Sequence, residues 1–260
     1  MLAHEGEELV EQVQPGLDEV IRTNSIQYSL VSAGILLLLV VLVVLFKGKN
    51  EKLKYLFFGI IALVILVNTS YLSFSTIYLN QQSTTGGPVH WHADFEIYNC
   101  GQKVEIKNPK GFSNKVGTEV VHEHNDDRIH IEGVILDKHD ASIRHFIEAI
   151  GGELHKDQIA TPTENGLLQL ENGQMCGNQA GELQVFVYKQ SLPSGDGRIE
   201  GDYFSQQKLT DSAENYIISP FGQVPPGDCI IIEFDRPKEK TEKLCAFYQI
   251  AKEKGEIDVR

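Results

Sequence analysis

Two long uncharged stretches constrain this chain more than anything else in it. Residues 23–46 carry no charge, and Ile35 to Phe46 is an unbroken run of Leu, Ile, Val and Phe. Residues 55–79 are again uncharged and mostly apolar, with Asn68, Thr69 and Ser70 near the middle. Each run exceeds the ~20 residues that a helix needs to cross a hydrocarbon core. A cleaved signal peptide has a shorter apolar core, ~7–15 residues, preceded by positive charge. The first 22 residues here are instead acidic, with Glu5, Glu7, Glu8, Glu11, Asp18 and Glu19 against Arg22 alone. The competing arrangement is a buried helical hairpin in a soluble protein. The transmembrane hairpin is the expectation.

The loop between the runs is Lys47-Gly48-Lys49-Asn50-Glu51-Lys52-Leu53-Lys54. Its four lysines mark it as cytoplasmic by the positive-inside bias. A two-pass cell-membrane protein follows, with the N-terminus and everything after residue 80 outside the cytoplasm. Four parts are expected: an exported acidic segment 1–24, the hairpin 25–79 with cytoplasmic loop 47–54, a linker 80–89 and an exported domain 90–260. Leu9, Val13, Leu17, Val20 and Ile21 have helix-like spacing interrupted by Pro15-Gly16, which predicts an amphipathic segment on the outer membrane face. Gln81 to Pro88 reads as polar linker.

The outer region is long enough for one domain with its own core. The chain has 36 acids and 23 bases, of which residues 1–79 hold seven and five; the remaining 29 and 18 give residues 80–260 a net charge of −11. That balance excludes nucleic acid as a partner and suits cation capture. All four cysteines, Cys100, Cys176, Cys229 and Cys245, lie in this region. An even count in an oxidising compartment favours two disulfides. Three pairings are open, and Cys229 with Cys245 is the pair that brackets a single strand-to-helix connection. No C-x-x-C pair is present, which disfavours a thioredoxin-like centre or a zinc knuckle.

A strand from His90 to Tyr98 is expected to turn at Asn99-Cys100-Gly101-Gln102 and return through Lys103–Lys107. Gly111–Gly117 reads as a loop. Val120–Leu136 places strands on either side of an Asn125-Asp126-Asp127 turn. Asp140 or Ser142 can cap a helix through Ile143, Phe146, Ile147 and Ile150 that ends at Gly151-Gly152. Leu183–Lys189 alternates as a strand. Tyr216–Ile218 and Cys229–Phe234 read as further strands, separated by the Pro225-Pro226-Gly227-Asp228 turn. A last helix, capped near Thr241, sets Leu244, Phe247, Tyr248 and Ala251 on one docking face. The fold class is α+β: a transmembrane hairpin, then a mixed sheet with one packed helix in a β-grasp-like order, and a C-terminal docking helix.

Five of the nine histidines fall within 41 residues, in two tight groups. The first is His90-Trp91-His92, followed by Asp94, Phe95 and Glu96. The second is His122-Glu123-His124, then Asp126, Asp127, His130 and Glu132. Alternate residues on a strand share a face, so each H-x-H pair presents two imidazoles together while Trp91, Phe95, Ile97, Ile129 and Ile131 take the opposite face. A metal site needs such convergence. The candidate ligands are His90, His92, His122, His124 and His130. Asp94, Glu96, Asp126, Asp127 and Glu132 are candidates for a carboxylate ligand or for the partners that orient imidazoles. Imidazole ligation suits zinc or copper. The only methionines are Met1 and Met175 and no cysteine is near the motifs, which disfavours a Cu(I) carrier or a blue-copper centre. His139, His145 and His155 read as surface residues, and His4 has no context.

The runs HWHADFEIYNCG, VHEHNDDRIHIEG and PPGDCIIIEF resemble those of uncharacterised membrane-anchored proteins of small archaeal genomes, over most of residues 85–250. About residues 90–150 are also similar to exported bacterial domains with an H-x-H strand and an H-T-H-D…I-H-I-E motif, where Glu123 stands in place of the usual Thr. The resemblance implies that the histidine motifs form one unit; it implies no reaction. The leading expectation is a metal-binding or interaction module whose partners are the lipid bilayer and a divalent transition metal. The alternatives are a hydrolytic metalloenzyme with Glu132, Glu96 or Asp94 as base, and a structural surface protein whose histidines only hydrogen-bond.

Overall fold

A computed structural model describes residues 16–46, 51–110, 112, 114–190, 203–218 and 227–259. The chain forms two compact units, Met1–Gln82 and Ser83–Arg260. The first unit holds α1 (Leu17–Leu45) and α2 (Glu51–Gln82). At 1.5 Å per residue these helices are about 43 and 48 Å long, and both are apolar enough to cross a membrane. Leu30, Leu37 and Val44 on α1, and Leu56, Leu66 and Phe74 on α2, are exposed, while α1 buries Leu39 and α2 buries nothing. Exposed apolar surface on this scale is the kind that marks a membrane or partner contact. Tyr28 and Tyr71 meet edge to face at 4.7 Å between the two helices.

The second unit contains fourteen strands among its described residues: β1 (Pro88–Asn99), β2 (Gln102–Val104), β3 (Val116–Gly117), β4 (Val121–Glu123), β5 (Arg128–Val134), β6 (Glu153–Leu154), β7 (Gln158–Thr163), β8 (Gly166–Glu171), β9 (Met175–Cys176), β10 (Gln179–Ala180), β11 (Glu182–Gln190), β12 (Tyr203–Leu209), β13 (Asp228–Asp235) and β14 (Asp258–Val259). Helix α3 (Ile143–Ala149) follows β5, and α4 (Ala246–Glu253) follows β13. The main sheet runs β14-β12-β11-β13-β1-β5-β4-β3, with β2 also on β1. β1 is parallel to β13 and antiparallel to β5. A mixed α+β domain behind two apolar helices is thus the architecture.

The strand period sorts the side chains. Odd-numbered residues of β1 and β5 (Trp91, Phe95, Ile97, Ile129, Ile131) join Val185, Val187, Ile230 and Ile232 in one core. That core packs on Ile143, Phe146 and Ile147 of α3 and on Leu154, Ile159 and Leu170 of the β6–β8 meander. Ser142 caps α3 by accepting from the His145 amide at 3.2 Å. The opposite sheet face carries a second core, in which Tyr98, Phe186, Tyr188, Phe204 and Ile231 pack on Tyr248 and Ala251 of α4. α4 therefore covers strands β11 to β13 and the C-terminal half of β1. The β1–β5–β4 end of the same face is left for polar residues.

Disulfides join Cys100 to Cys176 and Cys229 to Cys245, with Cα separations of 5.3 and 5.9 Å. The first ties the β1–β2 turn, where Cys100 and Gly101 both take positive φ, to β9. The second ties β13 to the start of α4.

Several boundaries differ from the sequence expectation. Leu17–Arg22 continue directly into α1 instead of forming a separate segment, and residues 1–15 lie outside the described residues, as do Lys47–Asn50 and Pro225-Pro226. Gln81 and Gln82 end α2 and Pro88 begins β1, which shortens the linker. The return strand after Cys100 stops at Val104, and Val116-Gly117 is a strand in a stretch expected to be loop. Tyr216–Ile218 is not a strand: a 3-10 turn at Ala213–Asn215 leads into a single bridge between Ile217 and Ser142. α4 starts at Ala246, not near Thr241: residues 236–245 are irregular, and Tyr188 ties them to the sheet by donating to the Lys243 carbonyl at 2.8 Å. Phe247 faces outward, 41% exposed, under the Arg128 guanidinium.

Candidate metal centre

The strand register sets the site. His92 on β1 lies opposite His130 on β5, which lies opposite His122 on β4, so three imidazoles stand in a row across adjacent strands. One step along, His90 lies opposite Glu132. Paired residues in antiparallel strands share a face, here the face that α4 leaves uncovered. His130 is central, with ring centroids 4.7 Å from His92, 5.5 Å from His122 and 4.8 Å from His124. His90 and His92 are 4.6 Å apart, and their Nε2 atoms approach to 3.0 Å.

Two groups of donors follow: His90, His92 and Glu132, and His122, His124 and His130. Within each group one ligand atom per residue lies within 4.8 Å of the others. Glu132 stands between them, with Oε1 3.5 Å from His90 Nε2 and Oε2 4.0 Å from His122 Nε2.

Surrounding groups fix the rings. His124 Nδ1 is 2.5 Å from the Asn114 carbonyl, and Asn114 Nδ2 returns a bond to the His124 carbonyl at 3.1 Å. A carbonyl can only accept, so Nδ1 carries the proton and Nε2 keeps its lone pair. His130 Nε2 donates to Asp126 Oδ2 at 3.1 Å, which leaves its Nδ1 as the electron-pair donor. The turn that delivers Asp126 has Asn125 and Asp127 at positive φ, where Asn and Asp are the non-glycine residues best tolerated. Its amide at Asp126 donates to Glu123 Oε1 at 2.6 Å.

Burial and neighbouring positive or imidazole groups favour the neutral form of two of these rings, His92 and His122. Desolvation, then the His130 and His90 rings and Arg128, push the His92 pKa down to about 4. Desolvation, followed by Lys115, lowers that of His122. Neutral imidazole is the form that binds a metal. His122 is 2% exposed, and its Nδ1 is buried without a hydrogen-bond partner. β3 covers it at close range: a Cβ on Gly117 would come within 2.8 Å of His122 Cα, so only glycine lets the strand lie there.

The carboxylate candidates separate into two sets. Glu132 and Asp126 adjoin the histidines. Asp94 is buried and bound by Arg128 Nε at 2.8 Å, with burial raising its pKa. Glu96 is buried and accepts from Tyr98 Oη at 2.5 Å and from the Ala246 amide at 3.0 Å. Asp127 pairs with Lys103 at 2.6 Å. These three brace α4 and the turn, and belong to neither donor group. His155 stands beside Glu153 at 3.9 Å; it, His139 and His145 are in neither group, and His4 lies outside the described residues. Asn114, Lys115 and Arg128 are contributors that sequence reasoning missed. Arg128 shares the parity of His130 and Glu132, which was a usable signal; Asn114 and Lys115 had none.

Comparison with protein-family models, with curated proteins and with solved structures finds no match.

Proposed function

We propose that the chain is a two-pass membrane protein whose extracytoplasmic domain binds a divalent transition metal through its histidine face. One observation carries the reading: five imidazoles and a carboxylate, from three adjacent strands and the residue that follows β4, bring their donor atoms within 4.8 Å in two groups. Such a density of imidazoles has metal ligation as its natural use. The donors are nitrogen and oxygen, which suits zinc or Cu(II). The four lysines of the 47–54 loop support a cytoplasmic loop, and two disulfides suit an oxidising compartment. A β-grasp-like reading of the sheet rests on the antiparallel pair β1–β5, helix α3, then β11, β12 and β13, in the order β5-β1-β13-β11-β12 with β1 and β13 parallel at the centre.

An open site favours capture over enclosed catalysis. The His90 side chain is 64% exposed and that of Glu132 39%, so an ion reaches the donors directly from solvent. Zn²⁺ at 100 times its Kd should stabilise the metal-free chain in detergent by about 2.7 kcal/mol, a rise of roughly 5–10 °C in the outer domain's Tm. Protease added to intact cells should cleave the outer domain. An unchanged Tm contradicts metal binding, and protection until lysis contradicts the topology.

A further inference from the structure

Six donor residues exceed what one zinc ion uses, since tetrahedral sites take four ligands. They also fall into two groups of three, and the one carboxylate among them is divided between the groups. Resting on the metal-binding reading above, we infer that the histidine face is a dinuclear centre, with Glu132 as the bridging carboxylate. One ion sits among His90, His92 and Glu132, the other among His122, His124 and His130. Each Glu132 oxygen faces a different group, Oε1 toward His90 at 3.5 Å and Oε2 toward His122 at 4.0 Å.

Sheet geometry supports the pairing of sites. Neighbouring strands lie about 4.8 Å apart, and paired metal ions sit about 3.5–4 Å apart, so ligands from β1 and β4 can hold an ion each across the shared strand β5. His92 and His130 rings touch at 4.7 Å, which places the two groups side by side. A bridging carboxylate also offsets part of the repulsion between two divalent ions. With Glu132 shared, the ion among His122, His124 and His130 has four protein ligands, and the ion held by His90, His92 and Glu132 has three, which leaves it a position for solvent.

Equilibrium dialysis of the full chain in detergent against Zn²⁺, with metal content measured per chain, decides this. The expected result is two ions for the wild type and one for His90→Ala, a substitution at an exposed side chain with little effect on folding. Loaded with Cu²⁺ instead, the wild type should give the electron paramagnetic resonance spectrum of a spin-coupled pair, and Glu132→Gln should yield two uncoupled signals or a single ion. One ion in the wild type, or two uncoupled ions, overturns the dinuclear centre while leaving metal binding intact. No ion overturns both.

Discussion

Replacing His130 with alanine is expected to weaken Zn²⁺ binding by on the order of 100-fold or more, while His155→Ala leaves it unchanged. Loss of residues that merely orient a metal ligand commonly costs about 10–100-fold in affinity, and His130 is itself a candidate ligand. It is the ring that stands against His92, His122 and His124 together. Its side chain points away from the α3 core and touches Asp126 at the surface of the site. The substitution therefore removes a donor without opening a cavity in the apolar core, and the metal-free variant should keep the wild-type melting profile. Isothermal titration with Zn²⁺ checks it. Equal affinity in His130→Ala and wild type would detach the histidine face from metal binding.

Reduction is expected to cost the domain of residues 83–260 more than any single surface change. In the chain-entropy account, a cross-link stabilises by restricting the unfolded chain, and more so for a longer loop. The Cys229–Cys245 separation of 16 residues corresponds to about 3 kcal/mol and the Cys100–Cys176 separation of 76 to about 4.5 kcal/mol. Their combined loss should lower Tm by roughly 15–25 °C for a domain of this size. The cross-links hold different layers: Cys229–Cys245 pins α4 over the second core, and Cys100–Cys176 pins the β1–β2 turn. Scanning calorimetry with and without dithiothreitol, with thiols counted, tests the pair of values. A Tm unchanged after all four thiols are released would contradict them.

How much of this was legible in the sequence depended on whether a local pattern or a remote covering decided the outcome. Parity along β1 and β5 put Trp91, Phe95, Ile97, Ile129 and Ile131 in the core, because a two-residue period needs no knowledge of the rest of the fold. The Ser142 cap and the Ile143–Phe146–Ile147 face were readable for the same reason. Asp94 and Glu96 show the limit. They share the parity of His90 and His92, yet the first two are buried beneath the α4 region and the last two remain partly open. Position relative to α4, a contact between residues some 150 apart, decides which even residues can meet an ion. The β6–β8 meander went unseen because Glu153–Glu171 mixes Gln, Thr and Gly with isolated apolar residues, and its pairing is recognisable only once Leu154, Ile159 and Leu170 have a core to face. The late start of α4 has a similar cause: residues 236–245 are held out of the helix by hydrogen bonds to β11 and β12 side chains, including Gln206 Nε2 to the Thr241 carbonyl at 2.8 Å.

X-ray absorption at the zinc edge of the loaded, full-length protein bears most directly on the claim that this face holds a metal. The account predicts a first shell of nitrogen and oxygen only, at about 2.0–2.1 Å, with the outer-shell scattering of several imidazoles and none from sulfur, because all described cysteines are paired. The imidazole contribution should fall in His130→Ala. A sulfur shell near 2.3 Å, or a spectrum indistinguishable from hydrated zinc, would contradict it.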